Sequence, residues 1–427
     1  MSPKPLELGL RENRAQFSLL VAVTAFVGAM VGLERSTLPL IGEADFGLGS
    51  SAAVLSFIVA FGLAKSLTNL AAGVGADRFG RRRLLIFGWA LALPVPLLIG
   101  LAPSWEWVVA ANALLGVNQG LAWSMTVVMK IDLVGPRRRG LALGLNEAAG
   151  YGGVALAAAI SGWLASEYAA RDVLVAGGAG IALLALLLSA VLVKDTAAHL
   201  QLEQRQSGHD RDEDAPPLRQ VFPEATYRQP ALRSCSQAGL VNNLNDALVW
   251  GLVPLFLAAN GATAGQVGLV AGIYPGVWGI GQIPAGKWSD RVGRKPLIVS
   301  GMLLQAAALG LLAASGGGVA AAALAAVVLG AGTALVYPTL IAAISDNVSP
   351  VARAPTVGVY RFWRDMGYVA GGLIAGLAAD AIGYSGAIAT VATLTAASAL
   401  WVAIDLPEAG QPRRRQPAPR PPGVRSR

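Results

Sequence analysis

Eight ionisable side chains lie inside stretches that are otherwise apolar: Glu34, Arg35, Lys65, Glu147, Asp246, Arg361, Arg364 and Asp365. A charge at such a depth is costly, and it is kept to handle an ion or substrate, to relay a proton, or to pair with an opposite charge. Asp246 closes the run Asn242-Asn243-Leu-Asn245-Asp246, four polar residues in five. Amides at that density can bond a solute or knit helices together. Asn146 stands beside Glu147, and Lys65 precedes Asn69 by four residues, which puts those two on one helix face. Arg361 and Asp365 are also four apart and can neutralise each other, leaving Arg364 as the free charge. Gln119 and Trp123 share a face, as do Tyr274, Trp278 and Gln282, and Tyr337 precedes Pro338. Such interleaved rings and amides suit a small molecule with apolar and polar parts. Glu34 and Arg35 lie close enough to a span end to reach the interface.

These residues must be positioned by membrane helices. Of 427 residues, 54% are hydrophobic, 52 are glycine and only 14% are charged, whereas soluble domains carry about 25% charged residues. The chain is long enough for about a dozen spans of roughly 20 residues. Apolar runs bounded by charges or turn residues predict spans at 17–38, 52–74, 84–102, 106–129, 140–165 and 172–193, then 234–258, 265–286, 296–315, 319–345, 354–380 and 384–404. This divides the chain into an N-terminal segment 1–16, a six-helix bundle 17–193, a solvated linker 194–233, a second bundle 234–404 and a disordered basic tail 405–427. The linker holds both histidines, His199 and His209, and the charged run 210–214. One cysteine and two histidines exclude a disulfide framework and a multi-cysteine metal site, so neither metal nor cofactor is expected.

The net charge of +8 suggests nucleic acid until its location is considered. Lys and Arg fall in the N-terminal segment, at 78–83, 137–139 and 287–295, in the linker, at Arg353 and in the tail, whereas the opposite side of the spans receives only Arg35 and Arg171. That bias sets orientation: both termini and the linker are expected in the cytoplasm, in a multi-pass protein of the cytoplasmic membrane that binds lipid and not nucleic acid. The first apolar run lacks a small-residue cleavage site and is expected to stay as a span.

The two halves are related. Gly73-Val-Gly-Ala-Asp77-Arg78-Phe-Gly80-Arg81-Arg82 recurs as Gly286-Lys-Trp-Ser-Asp290-Arg291-Val-Gly293-Arg294-Lys295, an offset of 213 residues. Asp132-Leu-Val-Gly-Pro136-Arg-Arg-Arg139 is echoed by Asp346-Asn-Val-Ser-Pro350-Val-Ala-Arg353 at an offset of 214, which also sets Glu147 on Arg361. An acid and a base at equivalent places in two bundles can meet across a central cavity. Parallel repeats about an axis along the membrane normal belong to alternating-access carriers, which hold substrate between the halves.

On these residues the chain resembles the major facilitator superfamily over nearly its whole length. The segment Gly73–Arg82 is similar to that family's signature between spans 2 and 3, and 286–295 is a weaker copy; Gly75 departs from it where a bulky apolar residue is usual. The resemblance implies an all-α integral membrane protein with twelve transmembrane helices in two pseudo-symmetric six-helix bundles (the MFS fold). It makes Asp77 and Arg81 gating residues at the cytoplasmic face, with Gly73, Arg78, Gly80, Asp290, Arg291, Gly293 and Arg294 in the same two loops. Asp132 and Asp346 are their candidate partners. Gln119-Gly120 is present, but Gly116 stands where the drug-proton antiporter branch has an arginine, and Gly150-Tyr151-Gly152-Gly153 lacks that branch's proline, so its proton relay does not transfer.

The chain is thus expected to be a monomeric secondary transporter of a small organic solute, proton-coupled through Glu147 or Asp246, with export favoured on family grounds. The alternative is proton-coupled uptake of a small, anionic metabolite, which Lys65, Arg361 and Arg364 would favour if they face the cavity. A polytopic enzyme would need a clustered catalytic constellation, and none stands in the sequence; a non-transporting sensor is the other rival. Gly281 to Lys287 has the spacing of a phosphate-binding loop, but Trp288 follows where Ser or Thr must bind magnesium.

Overall fold

The computed structural model describes residues 6–135, 139–206 and 216–407, and among them there are helices but no strand. The first half comprises α1 (Arg14–Arg35), α2 (Leu38–Ala44), α3 (Ser51–Phe79), α4 (Arg81–Ala92), α5 (Pro94–Gly100), α6 (Trp105–Val134), α7 (Arg139–Glu167) and α8 (Ala170–Val191). Between the halves lie α9 (Ala197–Gln206), α10 (Leu218–Pro223) and a π turn, Glu224–Arg228. The second half comprises α11 (Pro230–Ala259), α12 (Ala264–Val292), α13 (Arg294–Ala314), α14 (Val319–Asp346) and α15 (Pro350–Asp405).

Nine of the described helical stretches are long and apolar enough to cross a membrane. One of them, 352–405, is broken at Gly383 (φ 76°) into two arms, and with α6 and α12, of 30 and 29 residues, the described helices are consistent with the expected twelve. Local sequence sets the ends. The Ser50 hydroxyl accepts from Ala53 N at 3.2 Å to start α3, and Thr263 with Gln266 forms a reciprocal capping box on α12. Gly80 (φ 86°) and Gly293 (φ 98°), equivalent in the two repeats, turn the chain from α3 into α4 and from α12 into α13 in a conformation that side chains resist. Pro94 at the first position of α5 divides the third pass, predicted as one unbroken run 84–102.

Helices α3 and α15 pack together across the halves, as do α7 and α12. At the face away from the linker (the far face) the joins are tight. Asp380 accepts hydrogen bonds from Ser50 Oγ (2.6 Å), Ser51 N (2.6 Å) and Ala52 N (3.2 Å), stitching α15 to the start of α3. A Cβ built on Gly268 would lie 2.7 Å from the Cα of Gly162, so α7 and α12 touch backbone to backbone. Gly268→Leu is expected to cost about 1–3 kcal/mol by overpacking this contact; a thermal midpoint of the detergent-solubilised protein equal to that of the native sequence would contradict it. Among the described cross-half hydrogen bonds, the one nearest the linker face joins Asn69 to Asp365. Beyond it a Cβ on Gly144, Gly286 or Gly358 would meet nothing within 4 Å.

The stretch predicted as a solvated linker is partly built into the fold. Thr196, Glu203, Val221 and Ala225 are buried, because Val221 and Ala225 present one apolar face to the second half. His199 bonds the Asn13 side chain at 3.1 Å, and partial burial holds its imidazole below the ordinary value. His209, the charged run 210–214, Arg137, Arg138 and the tail beyond 407 lie outside the described residues.

Candidate functional site

Along α3, Phe57, Phe61, Lys65 and Asn69 recur every four residues and therefore form one stripe. On α15 the facing stripe is Arg361, Arg364, Asp365 and Tyr368. Asp365 is 0% exposed, and its carboxylate is fully engaged. It accepts from Arg364 Nη2 (2.7 Å) and Nε (3.0 Å), from Asn243 Nδ2 (3.3 Å) and from Asn69 Nδ2, with Lys65 Nζ at 3.9 Å. Arg364 uses its third nitrogen, Nη1, to reach the Tyr337 hydroxyl at 2.5 Å. Lys65, Asn69, Trp123, Ser124, Tyr337, Arg361 and Arg364 line a small polar cavity between the halves, with room for about one water. Three cations thus meet one carboxylate there. The pairing of Asp365 with Arg361 expected from their spacing gives way to the adjacent Arg364, because α3 and α11 supply the remaining partners of Asp365. Arg361 stays at the cavity with its Nε unbonded.

Asp246 is also fully buried, but its partners are phenols: the Tyr274 hydroxyl donates to Oδ1 and the Tyr368 hydroxyl to Oδ2 at 3.4 Å. The rest of its polar run divides by direction. Asn243 faces Asp365, whereas Asn242 and Asn245 both bond Gln305 on α13 (3.0 and 2.6 Å), and Asn245 also accepts from Thr395. Those two amides therefore tie helices together and do not line the cavity. Gln119 does the same, donating to the Val27 carbonyl of α1 at 2.9 Å. Glu147 is bonded within the first half by Trp123 Nε1 (3.1 Å) and Asn146 Nδ2 (2.9 Å), its other oxygen unbonded. No hydrogen bond or ion pair joins it to Arg361, the meeting that the repeat offset suggested.

Aromatic rings roof the cavity toward the far face. Trp123 contacts Tyr151 (5.4 Å between centroids), Tyr151 stacks on Trp278 (3.6 Å), and Trp278 meets Tyr337 and Tyr274 (5.4 and 5.8 Å). Trp250 and Tyr368 stack at 5.9 Å, and Phe61 closes on Tyr368 at 5.5 Å. The rings come from both halves, so the roof exists only while the halves are joined there.

At the linker face the two repeats form matching ion pairs. Arg81 Nε lies 2.7 Å from Asp132 Oδ2, and Arg294 Nε lies 2.9 Å from Asp346 Oδ2. Arg294 also bonds Asp290 at 2.7 Å, and Asp132 accepts from Thr196 at 2.6 Å. The copies differ in burial: side-chain exposures are 8% and 4% in the first pair, 20% and 50% in the second. Arg78 and Arg291 are exposed. The surroundings of Asp77 and Gly73 lie outside the described residues.

Two groups carry little signal in the sequence, and a third lies deeper than its position there implies. Lys130 was placed beyond its span, yet α6 continues to Val134 and buries it, bonded to the Leu20 carbonyl (3.1 Å) and Thr24 Oγ1 (2.5 Å). Tyr368 carried no signal apart from its position seven residues after Arg361. Arg35, expected at the interface, is fully buried, because α2 carries the chain on past it.

A family model described as Major Facilitator Superfamily matches residues 17–233 and 236–426. A probable 4-methylmuconolactone transporter of Cupriavidus pinatubonensis is 28% identical over 266 residues, covering 60% of this chain and 57% of that protein, so the match spans little more than half of that relative. The 3-(3-hydroxy-phenyl)propionate transporter of Escherichia coli is 27% identical over 374 residues, 85% of this chain and 87% of its own. The crystal structure of a mutant of the nucleoside transporter NupG superposes with a TM-score of 0.72 over 91% of this chain and 99% of that one, at 13% identity.

Proposed function

The chain belongs to the major facilitator superfamily, and on that premise we propose that it is a secondary transporter of small organic anions carrying an apolar ring, working by alternating access with protons as coupling ion. The observation that carries this reading is that the cavity between the halves is lined by three cations, Lys65, Arg361 and Arg364, and by no carboxylate, with Asp365 and Asp246 set behind that lining and aromatic rings as its roof. Planar guanidinium groups match carboxylates and rings stack on rings. The name of the Escherichia coli relative, an arylpropionate transporter, supports the same chemistry. An anion entering a cell works against the membrane potential, and accompanying protons offset that cost, so this reading favours uptake over export. In it, the bodies 17–193 and 234–404 rock as a monomer in the cytoplasmic membrane, the linker face is cytoplasmic, and the arrangement described is the inward-facing one.

Ligand binding to the folded protein raises its apparent stability. A thermal-shift comparison of 3-(3-hydroxyphenyl)propionate with its neutral amide on purified protein is expected to favour the acid. Equal shifts, or none, would overturn the anion reading. The matching ion pairs each join two helices of one half, α4 to α6 and α13 to α14, and so brace the linker-face ends of the two rocking bodies. Because the first is buried and the second exposed, Asp132→Asn is expected to slow transport by about tenfold or more, and Asp346→Asn by less than about threefold. Initial rates in proteoliposomes check this; equal effects would remove the asymmetry.

A further inference from the structure

Beyond the aromatic roof, on its far side, lies a cation that the site described above does not use. Arg35 ends α1 with 0% exposure. Its guanidinium carbon lies 4.5 Å from the centroid of Phe61, 5.3 Å from Phe57 and 5.8 Å from Trp250. None of Nε, Nη1 and Nη2 has a hydrogen-bond partner, and neither has the indole nitrogen of Trp250. Cation–π contact offsets part of the cost of burying a guanidinium, but it leaves the N–H donors unmet. The carboxylates of Glu34 and Asp246 lie within charge range of Arg35, yet neither accepts a hydrogen bond from it, so this cluster of donors walled by rings stays open to an incoming acceptor.

The walls come from both halves: Phe57 and Phe61 stand on α3, Trp250 on α11. The polar cavity reaches as far as Lys65, and there the Phe61–Tyr368 contact closes it, with both rings almost fully buried. Rocking that parts α3 from α15 and α11 at the far face would therefore open this box to the far side while the Arg364 layer lies beneath it.

Resting on the anion reading above, we propose that Arg35, with the Trp250 indole N–H, forms a second binding position for the substrate's carboxylate, occupied on the far side before the carboxylate passes to Lys65 and Arg364. Arg35 gives the far-facing state its own anion affinity. Closure of the roof withdraws Arg35 from use, so bound substrate is handed inward and not held between two cationic layers.

The test is sided transport of radiolabelled 3-(3-hydroxyphenyl)propionate in right-side-out and inverted membrane vesicles containing the full-length protein. Arg35→Gln is expected to raise the KM measured from the far face about tenfold or more while changing that from the linker face less than twofold. Arg35→Lys should recover part of the loss, and Trp250→Phe, which keeps the ring and removes only the N–H, should raise the far-face KM severalfold. A far-face KM unchanged in both Arg35→Gln and Trp250→Phe, or an equal rise from both faces, overturns the second position and leaves the central site standing. The linker-face KM also reports whether each variant is folded. If the native sequence shows no saturable transport from either face, the anion reading itself fails and this position falls with it.

Discussion

Asp365→Asn is expected to abolish transport and to lower stability more than any other single change in the cavity. The fully buried carboxylate accepts from one arginine and two asparagines and has the Lys65 ammonium 3.9 Å away. An asparagine keeps the shape but removes the charge, leaving Lys65 and Arg364 as buried cations with no counter-ion. Breaking a buried pair in this way costs about 3–5 kcal/mol, and the new amide turns two of its hydrogens toward existing donors. The cost falls on the join between α3 and α15, so the loss is both structural and functional. Thermal unfolding followed by size-exclusion chromatography, together with exchange flux in proteoliposomes, measures both parts. Native-like stability with native-like flux would mean that the three cations need no counter-ion.

Asp246→Asn is expected to behave differently, abolishing accumulation driven by a pH gradient while preserving exchange of substrate across the bilayer. The contrast comes from the partners. Asp365 faces cations, whereas Asp246 is held by the phenols of Tyr274 and Tyr368, from α12 and α15. Taking up or releasing a proton at Asp246 therefore breaks no ion pair. Both phenols belong to the aromatic roof, so the protonation of Asp246 bears on whether the roof closes. An intramembrane carboxylate in such a setting suits a proton relay. Glu147→Gln should reduce accumulation less, because both hydrogen-bond donors to Glu147, Trp123 and Asn146, belong to its own half. If Asp246→Asn accumulates substrate normally and Glu147→Gln does not, the roles are reversed.

Much of this architecture was written in the chain. The repeated Asp-Arg-x-Gly-Arg loops and the echo at Asp132 and Asp346 placed two ion pairs that form at equivalent positions, because both loops obey the same local rule, a positive-φ glycine followed by an arginine. The candidate site was legible as a set of residues but not as a set of partners. Helical spacing offers Arg361 to Asp365, yet Arg364 takes it, since the geometry of Asp365 is fixed by Asn69 and Lys65 on α3 and by Asn243 on α11, none of them close in sequence. Asn242 and Asn243 are neighbours that face opposite ways, one toward Gln305 and one toward Asp365. Arg35 was misjudged for a different reason: a span taken to end at 38 puts it near the interface, whereas the helical chain continues to Ala44 and leaves it deep.

The most direct test of the account is uptake of 3-(3-hydroxyphenyl)propionate into proteoliposomes under an imposed pH gradient, with Arg364→Gln measured alongside the native sequence. Saturable accumulation above equilibrium is expected, collapsing with a protonophore and falling at least about a hundredfold in Arg364→Gln through loss of a buried charge-assisted contact. Entry that rises linearly with concentration, ignores the gradient and is the same in both proteins would contradict it.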